Sequence, residues 1–328
     1  MAIVTQAAPP SGWALDESPL HEGERLIQQQ LGVARKMEIA ARHGIRRYMP
    51  DQHREFFEQL PFIVVGSVDS DGQPWASLLC NPPGFIQSPD PTHLIVHALP
   101  DAQDPLFTLL NNGILIGMLG IQPHTRRRNR ANGRIIRSAA ALHIEVMQSF
   151  GNCPKYIQAR QCDYQLHAPL QTPQVVIART LDKAMLEIIH HSDMFFIASA
   201  HPGAAQSAHE PLLAQHGVDV SHRGGKPGFV KVEGDSLIVP DYIGNFFFNT
   251  LGNLLLNPRA GLVFIDFIHG TLLHLSVDAA IIEDDAAMRG FPGAERLLQF
   301  TITQARHVRR QLPLRWTGWE LSPHLIDK

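Results

Sequence analysis

A set of short motifs occurs twice in this 328-residue chain, and the two copies lie a constant 144 residues apart. The matched positions are Ser77 and Ser221, Pro83-Gly84-Phe85 and Pro227-Gly228-Phe229, and Gly117 and Gly261. Self-similarity at a fixed spacing indicates a repeated structural unit, although a few shared glycines and prolines can also match by chance. We predict one small domain present twice, with the copies packed together as a pseudo-dimer.

Each copy has the hydrophobic pattern of short strands joined by turns. Strands are predicted over 62–68, 74–79, 94–98, 113–121, 128–137 and 142–147, and again over 194–200, 260–267, 271–282 and 297–307. Short helices are predicted over 104–110, 154–160 and 180–191, and a longer one over 243–256. The fold is therefore expected to be mainly β with some α, in two small barrels. The predicted division is an N-terminal arm and helices (1–60), barrel 1 (61–164), a linker (165–179) and barrel 2 (180–328).

Composition excludes several classes of function. The formal net charge is −3, so no overall field attracts nucleic acid or anionic lipid, and no window approaches 18 uninterrupted apolar residues. Three cysteines without a CxxC pair and a start that does not resemble a signal peptide favour a cytoplasmic protein. The histidines lack metal-ligand spacing, so His201 and His216 are expected on the surface and no metal is predicted.

Two groups of polar residues in the second copy are suited to an anionic ligand. Ser221, His222 and Arg223 lie on one predicted strand, where alternation places Ser221 and Arg223 on one face and His222 on the other. Asn245 and Asn249 would lie at the start of the 243–256 helix, where backbone N–H groups favour an anion. The competing interpretations are a solvated edge strand and a simple helix cap. Asn253, one turn further on, is expected on the surface.

The strongest local positive charge lies in the first copy, in Arg126-Arg127-Arg128-Asn129-Arg130. Four arginines without interleaved aromatic residues are a poor match to a nucleic-acid surface. The equivalent segment of the second copy, 271–275, is almost entirely apolar. An anion site with donors from both copies is therefore predicted on one side of the pseudo-dimer only, where Arg128 and Arg130 face Ser221 to Arg223.

The motif string also resembles a known family. Asp219-Val220-Ser221-His222-Arg223-Gly224-Gly225, Ile238 to Asn245 and Asn257 to Leu262 are similar to segments of FMN-binding split-barrel proteins related to pyridoxamine 5'-phosphate oxidase. The resemblance covers most of 192–282, and a weaker one covers 61–161. It implies two tandem FMN-binding split β-barrels that form the cofactor site at their interface. The phosphate-binding residues of the oxidase itself are not matched, so oxidation of pyridoxamine phosphate is not expected.

The resemblance implies FMN as the cofactor and a set of residues that bind it. The expected function is that of an FMN-binding flavoprotein, an oxidoreductase that passes electrons or hydride to a small acceptor; a non-catalytic flavin- or haem-binding module is the alternative. A small-molecule substrate or electron donor is the expected partner, and association into a homodimer stays open. No side chain stands out as catalytic. The expected cofactor-binding residues are Ser221, His222, Arg223, Asp241, Tyr242, Asn245 and Asn249, with Arg128 and Arg130 from the other barrel.

Overall fold

The computed structural model describes residues 12–167, 172–205, 213–309 and 311–325. Most of the predicted N-terminal arm, residues 1–11, lies outside these ranges. Three helices precede the first sheet: α1 (Glu22–Gln30), α2 (Ala34–Gly44) and α3 (Asp51–Glu58). No helix within the described ranges is long and apolar enough to cross a membrane.

Two large sheets follow in chain order. The first contains β1 (Phe62–Val68), β2 (Pro74–Cys80), β3 (Ile86–Asp90), β4 (His93–Val96), β5 (Leu115–Gln122), β6 (Arg127–Ser138) and β7 (Leu142–Gly151). Next come β8 (Ala159–Tyr164), β9 (Gln174–Ala178) and α4 (Lys183–His191). The last part contains β10 (Met194–Ala200), β11 (Val218–Gly224), β12 (Lys231–Glu233), β13 (Ser236–Tyr242), α5 (Asn249–Leu256), β14 (Arg259–Ile265), β15 (Leu272–Ile282), α6 (Asp285–Met288), β16 (Ala294–Arg309) and β17 (Leu314–Glu320).

The two sheets have the same strand order. Hydrogen-bonded neighbours run β2-β1-β5-β6-β7-β4-β3 in the first sheet and β11-β10-β14-β15-β16-β13-β12 in the second. Counting each sheet from its own first strand, these orders are identical, and the pairs described are antiparallel. The prediction of a mainly β chain with few helices is confirmed, and the repeated topology is consistent with a tandem arrangement.

Local predictions were wrong where turns or tertiary contacts determine the backbone. Residues 104–110 form turns, and the segment 154–160 leads into β8, which pairs with β17 in a separate two-stranded sheet. The predicted linker contains β9, which joins the second sheet at β16. The 243–256 helix begins only at Asn249, because Phe246 and Phe248 adopt φ of 61° and 62°, a left-handed conformation that a helix cannot continue through.

Each sheet has its own hydrophobic core, and a third cluster joins the two sheets. The interface cluster is built from the central strands of both halves, with Phe62, Val64, Leu78 and Leu119 on one side and Phe196, Val220, Val263 and Leu272 on the other. These side chains are almost completely buried. Burial of this much apolar area is the main force that holds the halves together.

Two equivalent glycines allow the sheets to approach closely. A Cβ atom on Gly117 would lie 2.4 Å from the Val218 carbonyl oxygen, and a Cβ on Gly261 would lie 2.4 Å from that of Pro74. Both the glycines and the carbonyls that they face are 144 residues apart. The repeated motif found in the sequence is therefore a repeated contact across the interface.

Replacing either interface glycine with alanine should destabilise the chain. The added methyl group would collide with backbone, which cannot rotate away, so Gly117→Ala and Gly261→Ala should each lower the free energy of unfolding by about 1–3 kcal/mol. Urea unfolding measures this. Gly217→Ala is the control, because no atom lies within 4 Å of its added Cβ; equal losses in all three variants would contradict the assignment.

The expectation that His201 lies on the surface is wrong, because it is 7% exposed. Other histidines are buried in neutral form. Burial lowers the pKa of His21 to about 4, and burial together with the charges of Arg46 and Arg127 lowers the pKa of His53 to about 4. His53 contacts the Ser149 hydroxyl at 2.9 Å through Nδ1. In the unfolded chain these groups have ordinary pKa values near about 6.5, so they accept protons on unfolding.

Acid should therefore destabilise the fold in a defined pH window. Between about pH 6.5 and pH 4 the unfolded chain binds more protons than the folded one, so the free energy of unfolding should fall as the pH is lowered, by up to about 3 kcal/mol per histidine. Urea titrations at pH 7.5, 6.5, 5.5 and 4.5 measure the slope. His53→Gln should make it shallower, whereas replacing the exposed His97 should not; an unchanged slope in His53→Gln would refute this explanation.

Candidate functional site

A cleft of about 140 Å³ opens between the two halves. Its walls come from β6 of the first sheet and from β11, the end of β13 and the start of α5 of the second. All nine residues expected from the sequence line it, namely Arg128, Arg130, Ser221, His222, Arg223, Asp241, Tyr242, Asn245 and Asn249. The structure thus brings them together around one cavity, while their role as ligand-binding residues stays a prediction.

Arg130 is the central contact between the halves in this cleft. Its side chain is 3% exposed, and its guanidinium group donates to the Val220 carbonyl at 3.1 Å, to Asn249 Oδ1 at 2.7 Å and to Ser221 Oγ at 2.6 Å. It also forms an ion pair with Asp219 at 3.2 Å. Most of its donors are therefore used within the protein, and its main role is to hold β6 against β11.

Asp219 is an important residue that the sequence analysis missed. Its carboxylate accepts hydrogen bonds from Arg130 and from the amides of Asn132, at 2.8 Å, and Asn253, at 3.0 Å. The expectation that Asn253 lies on the surface is wrong, because it is 1% exposed. The available signal was a single carboxylate between Val218 and Val220 in a strand that is otherwise apolar at its start, since a charge at such a position requires partners.

Arg128 carries a charge that the protein does not neutralise. It donates to the backbone carbonyls of Cys153 at 2.7 Å and His222 at 3.5 Å. No carboxylate of the described residues forms an ion pair with it. Burial lowers its pKa to about 10, with a further contribution from the neighbouring charges of Arg130 and Arg223. A guanidinium in this setting is a ready partner for an anion.

Arg223 is only partly satisfied by the protein. One of its terminal nitrogens donates to Asp241, and Arg296 donates to the other oxygen of the same carboxylate at 3.0 Å. The Nε atom of Arg223 is buried without a partner. Asp241 is therefore shared by two arginines, of which Arg296 has a second carboxylate partner in Glu283 at 3.7 Å. Arg296 was not predicted as a residue of the cleft, because nothing in the sequence around it indicates a contact with Asp241.

His222 lies on the opposite face of β11 from Ser221 and Arg223, as alternation predicts. Its ring is 6% exposed and packs edge-on against Phe196, with ring centroids 5.7 Å apart. Burial and the charges of Arg128 and Arg223 hold its pKa well below the usual value. Both ring nitrogens are buried without a partner, so His222 is a neutral part of the wall.

The rim of the cleft is aromatic. The rings of Tyr242 and Tyr156 lie 5.1 Å apart, and the Tyr156 hydroxyl donates to the Ile243 carbonyl at 3.0 Å. Asn245 does not lie at a helix start as expected, because 243–248 is a loop. Its Oδ1 atom instead accepts a hydrogen bond from the Phe247 N–H at 3.2 Å. Asn245 therefore stabilises the loop, and Asn249 is the first residue of α5.

The pseudo-equivalent position on the other side has different polar contacts. His274, which lies 144 residues after Arg130, bonds to the Ala76 carbonyl at 2.9 Å, just as Arg130 bonds to Val220. Ser77 donates to Asp104 in a fully buried contact. The expectation of an almost apolar segment at 271–275 was wrong on this point, since His274 provides a polar contact there. Asp104 places a carboxylate of the chain on this side.

One known family is similar to part of the first half. Residues 49–161 match the family model described as pyridoxamine 5'-phosphate oxidase. This part of the chain is similar to pyridoxamine 5'-phosphate oxidase. The match covers about a third of the chain, and the predicted relationship is confirmed there. No curated protein matches the chain.

Three of the similar solved structures each align with less than half of this chain. A single-residue variant of HupZ from Group A Streptococcus covers 38% of this chain and 98% of its own, with 9% identity and a TM-score of 0.28. A putative pyridoxamine 5'-phosphate oxidase from Lactobacillus delbrueckii covers 39% and 94%, with 15% identity and a TM-score of 0.28. A FAD-binding protein from Mesorhizobium loti covers 42% and 99%, with 10% identity and a TM-score of 0.28. Because these values are low, the conclusions below depend on the residues of this chain.

Removing the Asp219 carboxylate should be among the most costly single changes in the cleft. Asp219→Asn would leave Arg130 as a buried charge without its counter-ion, which should lower the free energy of unfolding by about 3–5 kcal/mol. Asp163→Asn is the control, because its pair with Arg315 is exposed and 3.7 Å long and should contribute at most about 1 kcal/mol. Urea unfolding at pH 7.5 compares them, and similar losses would contradict the central role of Asp219.

Proposed function

We propose that the chain is an FMN-binding flavoprotein that acts as an oxidoreductase, with one FMN in the cleft between its halves. When bound, FMN supplies hydride and electron transfer, and the protein supplies placement, polarity and shielding from water. The reaction partners in this proposal are a small-molecule electron donor and a small acceptor.

The observation that carries the proposal is the unneutralised positive charge of the cleft. Arg128 has only carbonyl partners, and Arg223 keeps a buried Nε atom without a partner. Arg128 is half-buried and has no carboxylate partner among the described residues, and Arg223 shares its partner Asp241 with Arg296. A phosphate group that enters the cleft would give both guanidinium groups a further anionic partner. Arginine can bind phosphate through two parallel N–H bonds, which makes Arg128 and Arg223 the proposed phosphate-binding residues.

The remaining walls are suited to a flat, partly polar ring system. Tyr156, Tyr242, Phe246 and Phe248 supply aromatic surface at the cleft. Ser221 is held by two bonds, since its oxygen accepts from Arg130 at 2.6 Å and from Thr250 Oγ1 at 2.9 Å. A fixed hydroxyl and fixed amides beside an apolar surface are the arrangement expected around a ligand that needs both stacking and edge contacts.

Charge also supports a single FMN per chain. On the pseudo-equivalent side, the position of Arg130 is taken by His274, and burial lowers the pKa of His274, so that this ring is neutral. Asp104 adds an acidic group on the same side, with its pKa raised by burial. The cation on this side is Arg306, which donates to the Gln103 carbonyl at 3.1 Å. It lies near enough to Asp104 for its charge to lower the pKa of that carboxyl group against the larger effect of burial, so a phosphate group there would compete with an acidic group of the chain. Association of two chains into a homodimer stays open, because the proposed FMN site is built from one chain.

Titration of the purified protein with FMN, followed by the quenching of flavin fluorescence, tests the proposal. The wild type should bind one FMN per chain, and Arg128→Ala should weaken binding roughly 10- to 100-fold, as expected for the loss of a charge-assisted hydrogen bond. Arg127→Ala removes the neighbouring exposed guanidinium and is the matched control. Ser77→Ala, on the other side of the interface, should leave the affinity unchanged.

Two outcomes would overturn the proposal. Failure of wild-type protein to bind FMN at tens of micromolar would exclude a flavin site, and a haem spectrum in the purified protein would favour the carrier alternative. Equal loss of affinity in Arg128→Ala and Arg127→Ala would place the ligand elsewhere. Turnover driven by NADH or NADPH then distinguishes an enzyme from a protein that only carries flavin.

A further inference from the structure

We propose that helix α1, which precedes both barrels in the chain, is a clamp on the cleft, and that Glu24 and Gln28 are its positioning residues. The inference rests on the proposed function, because it concerns how the same cleft is kept ready for its ligand. Neither residue lines the cavity itself. Each acts through residues of the second half that do line it.

The clamp begins with an unusually close contact between two helices. A Cβ atom on Gly23 would lie 2.2 Å from the Gly252 carbonyl oxygen, and a Cβ on Gly252 would lie 2.6 Å from the Glu24 backbone nitrogen. Helix α1 and helix α5 can therefore touch along their backbones only because both positions are glycine. This contact brings the first turn of α1 directly against the first turns of α5.

Glu24 uses this proximity to reach a residue of the cleft. One carboxylate oxygen accepts the His21 N–H at 2.8 Å in a capping box at the start of α1. The other accepts from the side-chain amide of Asn249, which is the first residue of α5. Glu24 is 2% exposed. Burial and the nearby charge of Asp219 raise the pKa of Glu24, whereas the hydrogen bonds from His21 and Asn249 act in the opposite direction. Because each oxygen of Glu24 accepts one of these bonds, the carboxyl group fixes the orientation of both donors.

The orientation of the Asn249 amide determines whether Arg130 can donate to it. With its NH₂ group turned towards Glu24, the Asn249 side chain presents its oxygen to Arg130, which donates to it at 2.7 Å. If the amide turned over, its NH₂ would face the guanidinium, and both bonds would be lost. Glu24 thus determines which end of Asn249 faces Arg130 and the cleft.

Gln28 holds the adjacent loop from the same face of α1. It lies four residues after Glu24, hence on the same side of the helix, and its side-chain amide donates to the carbonyls of Phe246 at 3.1 Å and Phe247 at 3.3 Å. Phe246 and Phe248 both have positive φ, a conformation that costs free energy for residues with a side chain. The loop 243–248 forms part of the cleft wall and needs such an external contact to keep this shape.

Exchanging the acid and the amide between positions 24 and 249 tests the clamp. Glu24→Gln alone should place one NH₂ group against another donor and weaken FMN binding about tenfold, as expected for the loss of one hydrogen bond to a charged group. Asn249→Asp alone should place two carboxylates together and also weaken binding. Fluorescence titration with FMN measures the affinity of each variant.

The double variant Glu24→Gln/Asn249→Asp should restore the contacts. The amide introduced at position 24 can accept from the His21 N–H through its oxygen and donate through its NH₂ group to the carboxylate introduced at position 249. That carboxylate can still accept from Arg130. The affinity for FMN should therefore recover to within about threefold of the wild type, whereas a merely structural role would give additive losses.

A second readout does not depend on FMN. In the ligand-free protein, amide hydrogen exchange in 246–250 should be about tenfold faster in Gln28→Ala and in Glu24→Gln, and near wild type in the double variant, because exchange follows the free energy of local opening. Glu38→Gln on α2, which breaks the pair with Arg42, is the matched control and should not change exchange there.

The outcomes separate the two proposals. If the wild type binds no FMN, the proposed function fails. The clamp is then tested by amide hydrogen exchange in the ligand-free variants alone. If the wild type binds FMN but the affinity of the double variant falls by the sum of the two single losses, the clamp is refuted and the FMN site stands. The clamp is also refuted if exchange in 246–250 is unchanged in both Gln28→Ala and Glu24→Gln.

Discussion

The buried ion pair between Arg130 and Asp219 is the contact on which the cleft depends. It joins β6 of the first sheet to β11 of the second, and the amides of Asn132 and Asn253 satisfy the remaining capacity of the carboxylate. Buried ion pairs rarely add much stability by themselves, but breaking one is costly because it leaves a charge unpaired. This pair therefore fixes the register of the two halves, while the neighbouring Arg128 has only backbone carbonyls as partners among the described residues.

The two sides of the interface make equivalent contacts with different chemistry. The bonds from Arg130 to Val220 and from His274 to Ala76 occupy matching positions, so the geometry is the same on both sides. The chemistry differs, because one side has a guanidinium group and the other has a neutral imidazole near a buried carboxyl group. Shape is therefore symmetric across the interface, whereas charge is not.

The repeat, the strand pattern and the alternation along β11 could be predicted from the sequence because they depend on local spacing. Gly117 and Gly261 are examples, since the shared motif proved to be a shared contact. Asp219, Arg296 and Glu24 could not be found in this way, because their partners are distant in the chain and no periodicity marks them. Asn245 was misplaced for a related reason, since the left-handed backbone of Phe246 and Phe248 is set by tertiary contacts that outweigh local helical preference.

The close approach of Gly117 and Gly261 has an evolutionary consequence. In a homodimer of identical barrels, one substitution would appear at both equivalent contacts, so it would destabilise the interface at two places. In a single chain, the two glycines are encoded separately, so each contact can change without the other. In a single chain, one face of such an interface can therefore differ in chemistry while the opposite face continues to hold the molecule together, as the contrast between Arg130 and His274 shows.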